Sequence, residues 1–162
     1  RGLGDVYKRQ YYMNTTYYNI GEVSKMFDLP ISTLHYYDRE GLFPNLNRSK
    51  SGVRKFDDSA VESLRLIECL KKTGMEIKDI KEFIIWCQQG PSTYKKRREM
   101  FNKQRENVET EIEHLNQVLD MIKFKCWYYD TAIADGNEDR LKNLKPEDMP
   151  EDVRKAWKNA HR

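Results

Sequence analysis

From Thr93 to Tyr128 the chain runs without a glycine or a proline, and apolar residues return along it every seven positions. Phe101, Val108, Leu115 and Ile122 form one series, and Arg105, Ile112, Leu119 and Cys126 follow each of them by four; seven of these eight are apolar. Most of the residues between are Lys, Arg, Glu, Gln and Asn. Such a pattern predicts one long helix carrying a narrow apolar stripe. The helix has no means of burying that stripe alone, so residues 91–129 are expected to form a coiled-coil dimerisation arm. The alternative for the same pattern is a long helix packed on its own domain. The expected dimerisation residues are Phe101, Val108, Ile112, Leu115, Leu119, Ile122 and Cys126.

The rest of the composition narrows the class. The longest apolar run, Phe83 to Cys87, is far short of the roughly 20 residues that span a bilayer, so no membrane segment is expected. Three cysteines, Cys69, Cys87 and Cys126, are an odd number at wide spacing, which points to free thiols in a reducing cytoplasm. Residues 1–15 resemble nothing downstream and are read as a tag or artefact with a disordered start, Met13 being the expected natural start. The formal charge of +3 is small, but Arg39, Arg48, Lys50, Arg54 and Lys55 stand against Glu40 alone between positions 39 and 56. The positive excess is concentrated in that segment.

Asn19 followed by Glu22 predicts a capping box opening a short helix, with Ile20, Val23 and Phe27 on one face and Leu29 and Pro30 stopping it. Ser32 is the expected N-cap of a second helix from Thr33 to about Glu40, ended by Gly41. Two short helices across a three-residue corner have the spacing of a helix-turn-helix, whose second helix enters the major groove. From Leu42 to Phe56 helical periodicity disappears, and a basic two-stranded wing turning near Ser49 to Gly52 is predicted. Asp57 and Asp58 then cap a helix with Val61, Leu64, Ile67 and Leu70 on one face. A further helix, Ile77 to Gln88, places Ile77, Ile80, Ile84 and Cys87 together, and Gly90, Pro91 and Ser92 break the chain before the arm. The tail, residues 130–162, carries Gly136, Pro146 and Pro150 and a short final helix around Asp152 to Ala160.

The run YNIGEVSKMFDLPISTLHYYDREGLFP, then SGVRKF, then LKKTGMEIKDIKEFI, resembles the MerR family of bacterial transcription regulators over roughly residues 18 to 86. The arm is similar to that family's dimerisation helix. The resemblance implies a mainly α protein: a winged helix-turn-helix DNA-binding head at residues 16–90, followed by a long coiled-coil dimerisation helix. It further implies a homodimer on an inverted repeat in double-stranded promoter DNA. Such a dimer bends and untwists the DNA when an effector binds, so that RNA polymerase engages both promoter elements.

Carried onto this sequence, Ser32, Thr33, His35 and Tyr36 face base edges and phosphates, and Tyr37 divides between backbone contact and packing under the wing. Arg48, Lys50, Arg54 and Lys55 are expected to neutralise phosphates, with Tyr18 and Arg39 beside them. Two positions depart from the family: His35 stands where Arg is usual, and Val53 replaces the tyrosine of a Gly-Tyr-Arg wing motif. The resemblance then implies a weaker or a pH-dependent phosphate contact at His35.

Sensing residues are less well marked. Trp86, Trp127, Tyr128 and Tyr129 are the candidate lining of a site for a small organic effector, against the alternative that the tail simply packs on the arm. In relatives that respond to aldehydes a cysteine opens the third helix; Val61 occupies that place here, and Cys69 is expected to pack in the core. No C-x-C or C-x-x-C pair marks a metal site, and no cofactor is expected. The chain has no glycine-rich phosphate loop and no nucleophile–base pair at recognisable spacing, so it is not expected to be an enzyme. The competing reading is an architectural or excision-type protein that bends DNA without an effector.

Overall fold

A computed structural model describes residues 16–162, so the expected tag and natural start within residues 1–15 lie outside the described part. The chain divides into two compact units, one ending at Phe101 and one running from Asn102 to Arg162.

In the first unit, α1 (Ile20–Phe27) opens with the expected capping box: Asn19 Oδ1 accepts from the Glu22 N–H at 2.9 Å and Glu22 Oε2 from the Asn19 N–H at 2.8 Å. The second helix, α2, spans Ile31–Arg39 and begins two residues before the expected Thr33. Pro30, with φ −58° and ψ 142°, takes the cap position without a side-chain bond, and Ser32 is already inside the helix. Proline fits there because its fixed φ feeds the first turn and its missing N–H costs no helical bond. At the other end Gly41 has φ 80°, a left-handed turn that only glycine takes without strain.

The wing is a two-stranded antiparallel ribbon, β1 (Asn47–Arg48) and β2 (Arg54–Lys55), with Asn47 opposite Lys55 and Arg48 opposite Arg54. Tyr18 extends it through an antiparallel bridge to Phe56, whose ring is fully buried. Helix α3 (Asp58–Lys72) is capped by Asp57, whose carboxylate accepts from the Ala60 N–H at 2.8 Å. It buries Val61, Leu64, Ile67 and Leu70 at the expected spacing. Helix α4 (Ile77–Gln89) buries Ile80 and Phe83. The core gathers Val23, Leu34, Tyr37, Leu42, Phe43 and Phe56 with these α3 and α4 residues.

A 3-10 turn, Gly90–Thr93, leads into α5 (Tyr94–Asp135), a single helix of 42 residues. The turn is fastened by Thr93, whose Oγ1 lies 2.6 Å from the Trp86 carbonyl and 2.8 Å from that of Gly90. Arg97 adds bonds to Thr93 Oγ1 at 3.1 Å and to the Gly90 carbonyl at 2.9 Å. The first unit reaches past residue 90 because Met100 packs on its core and the Phe101 ring meets Phe83 edge-on at 5.3 Å.

In the second unit α5 continues seven residues beyond Tyr128, and the tail after it is ordered. Short α6 (Asp139–Lys142), a 3-10 turn at Pro146–Asp148 and α7 (Glu151–Ala160) fold back on α5. Phe124, Met149 and Val153 form a small core, with Met121, Trp127, Tyr128, Leu144 and Trp157 around it. Asn159 Nδ2 donates to Asp120 Oδ2 at 2.5 Å, fixing the end of α7 to the helix. No helix among the described residues is long and apolar enough to cross a membrane.

Candidate nucleic-acid interface

Helix α2 divides its faces cleanly. Leu34 and Tyr37 are 0% and 1% exposed and point into the core, whereas Ser32, His35, Tyr36 and Arg39, recurring at three- and four-residue spacing, lie on the opposite side. Ser32 and Arg39 are open to solvent and Tyr36 is 40% exposed; Thr33 and His35 are half-buried at the edge. A helix that presents hydroxyls, an imidazole and a guanidinium on one face has the donors and acceptors that base edges and phosphates require.

Tyr37 does not belong with them. Its ring is in the core, and its hydroxyl donates to Glu68 Oε1 at 2.8 Å while accepting from Lys71 Nζ at 2.5 Å. Burial first, and then the Glu68 carboxylate, push its pKa well above the ordinary value of 10.0. Of the two roles expected of Tyr37, backbone contact and packing, its burial fits the second: its polar end is used inside the head, linking α2 to α3.

The wing brings Arg48, Lys50, Arg54 and Lys55 to one hairpin. Lys50 and Lys55 are exposed, Lys55 with its ammonium 5.7 Å from the Tyr17 ring centre. Tyr18 is half-buried in the bridge to Phe56. The two arginines converge on a residue that sequence reasoning missed. Asp38, near the end of α2, accepts at Oδ2 from Arg48 Nη2 at 2.7 Å and from Arg54 Nε at 2.6 Å. Its side chain is only 10% exposed, against 45% for Arg48 and 23% for Arg54. Val53, at the turn, is 57% exposed.

The arm keeps its stripe open. Val108, Ile112, Leu115, Leu119 and Ile122 are between 39% and 57% exposed, and Cys126 is exposed as well. Phe101 is 38% exposed, its ring turned onto Phe83. The four aromatic residues considered for an effector are divided. Trp86 is half-buried on the head core with Lys96 Nζ 5.8 Å from its ring centre, and Trp127 and Tyr128 belong to the tail's small core. Tyr129 is 54% exposed and meets Tyr128 edge-on at 5.2 Å.

Cys69 is exposed, which corrects the expectation of a core thiol: α3 buries residues 64, 67 and 70, and position 69 falls on the far side of that stripe. Cys87 is also exposed, with Arg97 Nη1 at 3.8 Å from its sulfur. Among the described residues no three His, Cys, Asp or Glu side chains gather as metal ligands.

Comparison with known proteins matches this geometry to a family. Residues 18–84 fit the MerR HTH family regulatory protein model, and residues 61–123 fit a MerR DNA-binding model. An uncharacterized HTH-type transcriptional regulator of Haemophilus influenzae is 37% identical over 120 residues, which are 74% of this chain and 89% of that protein. The HTH-type transcriptional regulator AdhR of Bacillus subtilis is 31% identical over 90 residues, 56% of this chain and 64% of its own length. Among solved structures, HiNmlR, a MerR family regulator lacking the sensor domain and bound to promoter DNA, superposes with a TM-score of 0.67 at 36% identity, covering 76% of this chain and 98% of that one. A MerR family regulator from Bacillus thuringiensis gives 0.62 at 43% identity, over 68% of this chain and 97% of that one.

Proposed function

The chain belongs to the MerR family of helix-turn-helix regulators, and from that premise we propose that it regulates transcription as a homodimer on an inverted repeat in promoter DNA. The observation that carries the reading is the open face of α2, with Ser32, His35, Tyr36 and Arg39, in a head whose wing supplies Arg48, Lys50, Arg54 and Lys55. Side chains on a helix narrow enough for the major groove read bases, and the wing cations hold the adjacent phosphates. The exposed stripe from Val108 to Ile122 supports pairing of two arms, since an apolar face of that length is stable in water when a second helix covers it.

A dimer fixes the distance between its two heads, and a fixed distance on a flexible duplex is a means of imposing bend and twist. The switch is thus stored in DNA shape, and RNA polymerase reads the result. An organic effector would meet Tyr129, which is open, before Trp127 or Tyr128, which the tail covers. Such a regulator works in the cytoplasm, without a cofactor and without catalysis.

The test is selection of bound duplexes from the source genome by the full chain at physiological salt. Enrichment of one inverted repeat inside an over-long promoter spacer is the expected result. Enrichment of bendable DNA without a shared sequence would replace the regulator by an architectural protein.

A further inference from the structure

The Asp38 carboxylate stands where three separate effects disfavour it. It lies in the last turn of α2, at the negative end of the helix dipole. Its side chain is 90% withdrawn from water, which penalises a charge. It also borders the very face that, on the reading above, meets phosphates. What offsets these costs is visible in the wing. Arg48 and Arg54 are directly opposed across β1 and β2, a pairing of like charges that by itself would push the strands apart. Asp38 Oδ2 sits between them and takes one N–H from each.

Each arginine thereby uses one of its five donors on Asp38 and keeps the others. Arg54 is held by Nε, so both of its terminal nitrogens stay available beyond the bond, and Arg48 is held by one terminal nitrogen. The carboxylate fixes where the remaining donors point and ties the wing to the helix that reads bases.

We propose that Asp38 is a positioning residue for DNA recognition: it docks the wing on α2 and orients Arg48 and Arg54 so that backbone phosphates are met in register with the bases. The inference rests on the DNA-reading function proposed above. It concerns specificity rather than overall attraction, because an acidic residue removed from a nucleic-acid interface would ordinarily strengthen binding to any duplex.

The experiment compares the full chain with Asp38→Asn and Asp38→Glu, using a duplex with the selected inverted repeat and one with the same bases scrambled. In Asp38→Asn, affinity for the repeat should fall about tenfold or more while affinity for the scrambled duplex holds or rises, collapsing the ratio between them. Asp38→Glu should recover part of that ratio. Hydrogen exchange of residues 47–55 in the free proteins should be faster in Asp38→Asn than in the parent. Equal tightening on both duplexes, or unchanged exchange in the wing, would overturn the positioning role and leave the regulator intact. Failure of the parent protein itself to prefer the repeat would instead sink the proposed function, and the exchange measurement would still report whether Asp38 docks the wing.

Discussion

In the first unit Val23, Leu34, Phe56, Leu64 and Ile80 are 0% exposed, whereas in the second Ile112, Leu115, Val118 and Ile122 are all more than half exposed. Similar side chains meet opposite fates because short helices set at angles enclose a common interior, while one long helix encloses nothing. The head closes its core within one chain, and on the proposed homodimer the middle of the arm would be covered by a second chain. The tail is an intermediate case: α7 covers Phe124 near the far end of α5, so that part of the helix is buried by its own chain.

The most severe way to break this contrast is to replace Leu115 and Leu119 by Glu. Four leucines would leave the paired arms, a loss on the order of 6 kcal/mol or more, and sedimentation should show monomers. The head should retain its unfolding transition in those monomers; a dimer that survives the double change would show that the stripe is not the seam. The reciprocal change, Leu64→Ala, should cost about 2–5 kcal/mol in urea unfolding while the protein stays dimeric. If it dissociated the dimer instead, the two units would not be energetically separate.

A finer test is Tyr37→Phe, which removes the hydroxyl between Glu68 and Lys71 and should cost about 1–2 kcal/mol. DNA affinity measured below the unfolding region should be unchanged, as expected for a phenol used in packing. The pH dependence has a definite sign. Because the folded-state pKa of Tyr37 is raised above 10.0, its contribution is complete below that pH and is lost as pH rises toward the folded-state value. The gap between parent and variant should therefore narrow in strong alkali, and phenolate absorbance should show a late-titrating tyrosine that Tyr37→Phe lacks.

Much of this architecture is legible in the sequence where one local rule decides the outcome. Asn19 and Glu22 announce a helix start, Val61 to Leu70 a buried face, and the seven-residue repeat an open stripe. Reading fails where two rules compete or where partners lie far apart. Ser32 is a better N-cap by residue type than Pro30, but the corner after Leu29 starts the helix at Ile31 and leaves Ser32 on its open face. The arm was expected to end at the aromatic cluster, yet Thr131 to Ala134 continue it until Gly136, at φ 72°, stops it. Val153 and Trp157 lie four apart within the expected final helix, but Leu144 and Met149 are set off from it by two prolines, so how the tail folds onto α5 was not legible in one dimension. Asp38 was missed because it lies just outside the basic segment, and its two partners are 10 and 16 residues away.

If two arms pair over the bare stripe of α5 as proposed, the protein becomes responsive to its own amount. Order gained only on encounter follows mass action, so the fraction of competent dimer rises steeply with the number of chains per cell. On the homodimer proposed above, a cell with few copies would hold separate heads with weak grip on any half-site, and further synthesis would convert them together into paired readers. Copy number would then be an input to the proposed regulator in its own right.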